Sequence, residues 1–115
     1  MLKILGRATS SNVQKVVWVC EELNIPYERA DLGGPYGGND TAEYLSLNPN
    51  GRVPTIDDDG FILWESNTIV RYLADKHGNG TTLWPKNLQK RANASRWMDW
   101  ASSTLAVSHV PVYQG

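Results

Sequence analysis

Two groups of hydroxyl-bearing residues precede stretches of helical apolar spacing, where they could bind an anion. Ser10 and Ser11 stand before the first such stretch, and Ser66 stands before a later one with Glu65 on its N-terminal side. A helix N-terminus presents unpaired backbone N–H groups and positive potential, so a hydroxyl there can help to hold a carboxylate or an ionised nucleophile. The alternative is that both groups only cap their helices, a role for which serine is equally suited.

The cysteine and histidine content excludes several other kinds of chemistry. The 115 residues contain one cysteine, Cys20, and two histidines, His77 and His109. This content excludes an internal disulfide, a multi-cysteine zinc site and a Cys-x-x-Cys redox pair, and we predict no metal site. Cys20 falls on the apolar face of a predicted helix and is expected to be a small core residue.

Charge and hydropathy give no indication of a nucleic-acid or membrane partner. The formal net charge is −1, whereas a nucleic-acid or anionic-membrane surface is strongly basic. The first residues do not resemble a signal peptide, and the densest apolar run, residues 16–20, is too short to span a bilayer. We therefore expect a cytoplasmic protein, in a compartment where the unpaired Cys20 stays reduced.

The elements that must position these groups begin with a strand, a helix and a second strand. A short apolar strand opens the chain, and apolar residues recur at helical spacing over residues 13–23. Ser11 and Gln14 match a capping box, which predicts that the helix begins at Ser11. We further predict a strand over residues 27–32, a glycine-rich loop over 33–40 and a short helix over 41–47.

The rest of the chain is predicted to add a hairpin and two helices. Residues 53–56 and 61–64 are short apolar stretches separated by an acidic turn over residues 57–60, which is a hairpin signal. Ser66 is expected to cap the next helix, which ends at the glycines of residues 78–80. A linker and a helix over residues 88–105 complete the prediction.

The element order β-α-β-α-β-β-α, followed by one more helix, predicts an α/β fold with a mixed sheet. The last helix has little partner surface within this sequence. Either it docks on another subunit or a helical domain follows it.

Three motifs occur in an order that resembles a known family. They are Ser-Ser-Asn-Val-Gln-Lys-Val at residues 10–16, Asn-Pro-Asn-Gly-Arg-Val-Pro at 48–54 and Trp-Glu-Ser-Asn at 64–67. Together they resemble the N-terminal thioredoxin-like domain of a cytosolic glutathione transferase, most similar to the bacterial and plant-type classes that use serine.

The resemblance implies a division of the chain into two domains. A thioredoxin-like glutathione-binding domain with a mixed four-stranded sheet would span residues 1–79, and a linker would span residues 80–87. Residues 88–115 would begin the all-α C-terminal domain, truncated in this sequence. On that last helix, Trp97 and Trp100 are expected to pack at a domain or subunit interface.

The resemblance also implies an enzyme that adds the thiolate of glutathione to electrophilic organic substrates, with glutathione as co-substrate and no other cofactor. Ser10 matches the family's catalytic serine, and Asn12 could add a second polar contact near the sulfur. A hydroxyl donor and a helix N-terminus beside the sulfur would lower the thiol pKa from about 8.5 and favour the reactive thiolate. Thr9 is the alternative donor, and Ser11 would cap the helix.

Five further residues are implied in glutathione binding. Ser66 would hold the carboxylate of the γ-glutamyl end, and Glu65 would face its ammonium group. A cis Val53–Pro54 bond would turn the Val53 backbone toward the cysteinyl backbone of the ligand, and Arg52 could reach a ligand carboxylate. The alternatives are a helix cap, a trans proline at a strand start and a solvated arginine.

One segment departs from the family pattern. Relatives often carry Lys or His just before the second helix to bind the glycyl carboxylate, whereas Asp40 has the opposite charge. Backbone N–H groups of residues 33–38 could take over this role.

The implied partners are glutathione, a small electrophile and a second copy of the chain in a homodimer. The alternative function is a non-catalytic, glutathione-transferase-like protein-interaction module. A thiol-disulfide enzyme is disfavoured, because residues 9–12 contain no cysteine.

Overall fold

A computed structural model describes residues 1–81 and 84–100 of the chain. The strands are β1 (Leu2–Leu5), β2 (Tyr27–Ala30), β3 (Thr55–Asp58) and β4 (Phe61–Trp64). They form one four-stranded sheet in the order β2-β1-β3-β4. β1 is parallel to β2, whereas the β1–β3 and β3–β4 pairs are antiparallel. The predicted mixed sheet is therefore confirmed.

The helices follow in the predicted order. They are α1 (Ser11–Glu22), α2 (Ala42–Leu47), α3 (Ser66–His77) and α4 (Leu88–Trp100), with a single 3-10 turn at Gly34–Tyr36 in the glycine-rich loop. The predicted end of the last helix, at residue 105, lies outside the described residues. Within the described part of the chain, none of the helices has the length and apolar character needed to cross a bilayer.

The hydrophobic core lies between the sheet and the helices α1 and α3. Buried apolar side chains from both helices and from β1 and β3 form one cluster; they include Ile4, Val13, Val16, Val19, Cys20, Ile56, Ile69 and Leu73. Cys20 is a core residue, as predicted. Burial raises the pKa of its thiol to about 11, so this cysteine stays protonated and unreactive at neutral pH.

The strand β3 is buried on both faces. Ile56 and Thr55 are both fully buried, and neighbouring residues of a strand point to opposite faces. Ile56 belongs to the hydrophobic core, whereas the Thr55 hydroxyl lies 2.7 Å from the hydroxyl of Tyr44 on α2. The helix α2 therefore covers the face of the sheet opposite to α1 and α3.

Three strand boundaries differ from the prediction. Residues 57–58 continue β3 and pair with both neighbouring strands, so the hairpin turn contains only Asp59 and Gly60. Their φ angles of 51° and 98° suit a type I′ turn, which favours Asp-Gly. β3 begins at Thr55 rather than at residue 53, because Pro54 has no N–H for the ladder. β2 ends at residue 30 rather than at residue 32. Beyond that end, one further backbone hydrogen bond joins the N–H of residue 7 to the carbonyl of residue 32.

Trp84 anchors the segment that connects α3 to α4. Its side chain is buried, and its Nε1 donates a hydrogen bond to Asp75 Oδ1 on α3 at 2.6 Å. The guanidinium of Arg91 lies 4.9 Å from the centre of the indole ring. The predicted linker is thus tied to α3 at this residue. Trp97 on α4 is more than half exposed, whereas the side chain of Trp100 lies outside the described residues.

Candidate functional site

A cavity of about 270 Å³ lies where three separate parts of the chain meet. Its lining comes from the start of α1, from the turn before β3 and from the junction between β4 and α3. The lining residues are Asn12, Asn48, Asn50, Arg52, Val53, Pro54, Trp64, Glu65 and Ser66. Six of the seven predicted site residues thus come together, whereas Ser10 is not among the lining residues.

Ser10 is the N-cap of α1. Its backbone is extended, and its Oγ accepts a hydrogen bond from the backbone N–H of Val13 at 3.4 Å. The predicted capping box of Ser11 and Gln14 is wrong, because Ser11 is already the first helical residue. Gln14 instead donates from Nε2 to the carbonyl of Ala8 at 3.0 Å.

The Ser10 hydroxyl retains an uncommitted proton. The residue is 6% exposed, and no described residue accepts a hydrogen bond from its hydroxyl. An N-cap uses only a lone pair of the oxygen, so the same hydroxyl can still donate to a ligand atom. Asn12, two residues further along, reaches the cavity itself.

The starts of α1 and α3 lie side by side at the cavity. The Ser66 hydroxyl donates a 3.5 Å hydrogen bond to Asn12 Oδ1, although the two residues are 54 positions apart in sequence. Ser66 is buried. Because both helices direct their N-termini toward the same space, their positive potentials add there and favour a bound anion.

Glu65, rather than Ser66 as predicted, is the N-cap of α3. Its carboxylate oxygen Oε1 accepts a hydrogen bond from the backbone N–H of Asn67 at 3.3 Å, and Ser66 is the first helical residue. Glu65 has φ 82° and ψ 107°. A positive φ in a residue with a β-carbon costs of order 1 kcal/mol and is concentrated at binding and catalytic sites.

Lys15 places a buried positive charge next to this junction. It lies on α1 one turn after Asn12, and its Nζ is buried without a hydrogen-bond partner among the described residues. Burial lowers the pKa of Lys15, and the carboxylate of Glu65 opposes that shift. The lysine therefore adds to the positive potential behind the two helix starts.

The Val53–Pro54 peptide bond is cis, as predicted. Neither the N–H nor the C=O of Val53 forms a hydrogen bond with the described residues. Since Val53 lines the cavity, its backbone offers one donor and one acceptor, as an unpaired strand edge does.

The glycine-rich loop, which is predicted to offer N–H groups to a carboxylate, does not line this cavity, and three of its N–H groups are already bonded. The N–H groups of Gly33, Tyr36 and Gly37 donate to carbonyls within the loop itself. Neither this loop nor Asp40 contributes to the cavity lining. Among the described lining residues, Arg52 carries the positive charge that could bind a second carboxylate.

Three lining residues were missed by sequence reasoning. From the sequence, Asn48 and Asn50 are interpreted as turn residues and Trp64 as the end of a strand. All three belong to the motifs that carry the resemblance, but none is predicted to have a role in the site. Asn48 is nevertheless buried, and its side chain donates to the carbonyl of Arg52 at 2.9 Å. The turn sequence Asn-Pro-Asn-Gly contains two asparagines, and nothing in it indicates that the first of them is buried.

A family model described as glutathione S-transferase, N-terminal domain, matches residues 9–76 of the chain. The chain is also 46% identical over 117 aligned positions to glutathione S-transferase GstB of Escherichia coli (strain K12). That alignment covers 100% of this chain and 56% of the relative. The chain therefore spans about half the length of the curated relatives that it matches.

Solved structures give the same result. The theta class glutathione S-transferase of Xanthomonas axonopodis pv. citri, with glutathione bound, aligns with a TM-score of 0.84 and 50% identity over 91% of this chain and 50% of that chain. An epsilon-class glutathione S-transferase from the housefly, Musca domestica, aligns with a TM-score of 0.85 and 32% identity over 91% of this chain and 48% of the other. The predicted thioredoxin-like fold is confirmed.

Proposed function

Because the chain belongs to the glutathione S-transferase family, through its N-terminal domain, we propose that it binds glutathione and that the protein conjugates the glutathione thiolate to electrophilic organic substrates. The observation that carries the proposal is the cavity in which the starts of α1 and α3 meet the unbonded backbone of Val53. Glutathione combines a zwitterionic end, a peptide backbone, a thiol and a second carboxylate. The zwitterionic end, the peptide backbone and the second carboxylate each have a complementary group in the cavity lining. For the thiol, the complementary hydroxyl is that of Ser10, two residues before the lining residue Asn12.

The γ-glutamyl end of glutathione binds at the start of α3. Its carboxylate accepts a hydrogen bond from the Ser66 hydroxyl, which gives up its long bond to Asn12 Oδ1. It also accepts from the free N–H groups of the helix N-terminus. Its ammonium group faces the carboxylate of Glu65, which is exposed to the cavity. The unusual backbone conformation of Glu65 supports this assignment, because it turns the acid and the serine toward the same space.

The rest of the tripeptide binds along the turn before β3. The cysteinyl backbone pairs with the N–H and C=O of Val53 in the manner of an added strand. The glycyl carboxylate binds Arg52, whose guanidinium can form two parallel hydrogen bonds with a carboxylate. This arrangement replaces the basic residue that the sequence lacks near Asp40.

The thiol lies at the start of α1. There the Ser10 hydroxyl donates a hydrogen bond to the sulfur, and Asn12 adds a second polar contact. The hydroxyl and the helix N-terminus both stabilise the thiolate relative to the thiol, so the pKa of the bound thiol falls. The ionised sulfur then attacks the electrophile.

The test of this mechanism is Ser10→Ala, with activity measured against an aromatic electrophile and the thiolate followed by its ultraviolet absorbance. We expect kcat/KM to fall about tenfold or more, as for other single donors to a developing or resident anion. The pKa of bound glutathione is expected to rise. An unchanged rate together with an unchanged pKa would reject the role of Ser10.

The control separates the hydroxyl's two roles, because Ser10 also caps α1. Gly is tolerated at an N-cap within a few tenths of a kcal/mol, whereas Ala costs about 1 kcal/mol. Ser10→Gly and Ser10→Ala should therefore differ in stability but lose the same activity. Ser11→Ala provides a matched control for the neighbouring hydroxyl and is expected to change the thiol pKa little.

The second candidate function is a non-catalytic interaction module. It is favoured by Asp40, whose charge opposes a glycyl carboxylate, and by exposed aromatic side chains such as Trp18. Calorimetry with glutathione distinguishes the two functions, since an interaction module need not bind the tripeptide.

We further propose a homodimer that acts in the cytoplasm, where Cys20 stays reduced.

A further inference from the structure

A closed network of buried hydrogen bonds lies behind the turn that presents Val53. Its side chains are Tyr44 from α2, Asn48 from the turn and Thr55 from β3, all of them buried. Tyr44 and Asn48 both donate to the carbonyl oxygen of Arg52, at 2.5 Å and 2.9 Å. Asn48 also donates to Thr55 Oγ1 at 3.2 Å.

The direction of every hydrogen bond in this network is fixed. The single hydroxyl proton of Tyr44 goes to the Arg52 carbonyl, so the Thr55 hydroxyl must be the donor across the 2.7 Å contact between the two hydroxyls. Burial raises the pKa of Tyr44, which keeps that donor protonated. Buried networks in which every group is satisfied hold a single arrangement, because any alternative leaves a polar group unpaired.

The Arg52 carbonyl and the Val53 N–H are the two ends of one peptide group. This group is planar and trans, so its N–H points opposite to its C=O. Two donors that hold the carbonyl oxygen therefore determine the direction in which the N–H at the opposite edge of the group points. The Val53 N–H lies away from Tyr44 and Asn48, and it forms no hydrogen bond with the described residues.

We infer that Tyr44 is a positioning residue for glutathione, acting through the Arg52 carbonyl to aim the Val53 N–H at the cysteinyl carbonyl of the ligand. The inference rests on the proposed function. Tyr44 does not line the cavity and does not touch the ligand. Its contribution is the fixed direction of a donor that would otherwise rotate with the turn.

The experiment measures the binding of two ligands to Tyr44→Phe by calorimetry on the full chain. Glutathione carries the cysteinyl carbonyl, whereas γ-glutamylcysteamine keeps the γ-glutamyl end and the thiol but has no such carbonyl. We expect Tyr44→Phe to weaken glutathione about fivefold, the usual effect of losing one hydrogen bond. The affinity for γ-glutamylcysteamine should change less than twofold.

Two control variants separate positioning from general loss of stability. Tyr36→Phe removes the same atom from an exposed tyrosine and should change neither affinity. Thr55→Val removes a buried donor of the same network but leaves both donors on the Arg52 carbonyl. It should lower the thermal midpoint as Tyr44→Phe does and leave glutathione affinity unchanged.

The outcomes are distinct. A wild-type chain that does not bind glutathione overturns the proposed function, and this inference with it. If the wild type binds, then an unchanged affinity in Tyr44→Phe overturns the inference alone, as does an equal loss for both ligands. A loss of glutathione affinity in Thr55→Val as large as in Tyr44→Phe also overturns it. Should Tyr44→Phe fail to fold, Asn48→Ser removes the other donor to the same carbonyl and must show the same selective loss.

Discussion

The two walls of the cavity are built in opposite ways. One wall is the turn that presents Arg52 and Val53. Behind it lies the network of Tyr44, Asn48 and Thr55, whose polar groups pair with one another and with the Arg52 carbonyl in bonds of 2.5 to 3.2 Å. On the helix side, the contact between Asn12 and Ser66 is 3.5 Å long. Glu65 adopts a positive φ there, and the buried Lys15 ammonium has no hydrogen-bond partner within the described residues.

This difference indicates that the turn side contributes mainly to stability and the helix side mainly to anion binding. A wall whose polar groups are already paired is rigid and can only present its outward-facing groups, as Val53 does. A wall with a free hydroxyl proton at Ser10 and an ammonium group without a hydrogen-bond partner at Lys15 is less stable by itself but gains when an anion binds. Substitutions in the two walls should therefore separate changes in the free energy of unfolding from changes in glutathione affinity.

The largest effect is expected from Asn48→Ala on the turn side. The substitution leaves Thr55 and the Arg52 carbonyl with one donor fewer and removes the oxygen that accepts the Asn50 N–H. Unpaired buried groups of this kind cost roughly 3 kcal/mol in total. Urea denaturation measures the loss. The matched control, Asn50→Ala, removes an exposed amide and should cost less than about 1 kcal/mol.

An intermediate effect is expected from Tyr72→Phe, which tests how α3 is held to the sheet far from its start. The Tyr72 hydroxyl donates to Asp58 Oδ2 at 2.5 Å, and Lys76 lies 2.7 Å from the same oxygen. Losing a donor to a carboxylate costs about 1–2 kcal/mol at neutral pH. Tyr27→Phe is the control, because the bond from Tyr27 to Glu21 is exposed and should contribute less.

The effect of Tyr72→Phe on the free energy of unfolding should itself depend on pH. The hydrogen bonds from Lys76 and Tyr72 hold the pKa of Asp58 below its ordinary value of 3.8. This stabilisation is present above pH 3.8 and is lost as the pH falls through the lower, folded-state pKa. We expect the difference in the free energy of unfolding between wild type and Tyr72→Phe to shrink as the pH falls below 3.8. Denaturation measured over a series of acidic pH values tests this. A difference that stays constant would contradict the assignment.

The smallest change in stability is expected from Ser66→Ala on the helix side. Glu65 rather than Ser66 caps α3, so the free energy of unfolding should fall by less than about 0.5 kcal/mol. Glutathione affinity should nevertheless fall about tenfold, because the γ-glutamyl carboxylate loses a charge-assisted hydrogen bond. Denaturation and calorimetry on the same samples test both parts. A stability loss equal to that of Asn48→Ala would remove the distinction between the walls.

Much of the fold could be predicted because it depends on local patterns. Apolar residues at helical spacing mark α1 and α3, and an Asp-Gly turn between short apolar stretches marks the hairpin. The predicted helix caps fail where two neighbouring residues can both take that role. Ser10 and Ser11 are equally suited to cap α1, and Glu65 caps α3 although serine is the more usual N-cap residue. The choice depends on the backbone conformation before each helix, which the sequence pattern does not give.

The sequence by itself determined the element order, the mixed sheet, the core position of Cys20 and the family to which the three motifs point. Only the tertiary structure decided that Glu65 caps α3, that three N–H groups of the glycine-rich loop bond within the loop, and that Tyr44 and Asn48 donate to the Arg52 carbonyl. The physical reason is that apolar periodicity is written along the chain. The partner of a buried hydrogen bond is instead chosen among groups that become neighbours only when α2, β3 and the two helix starts have packed.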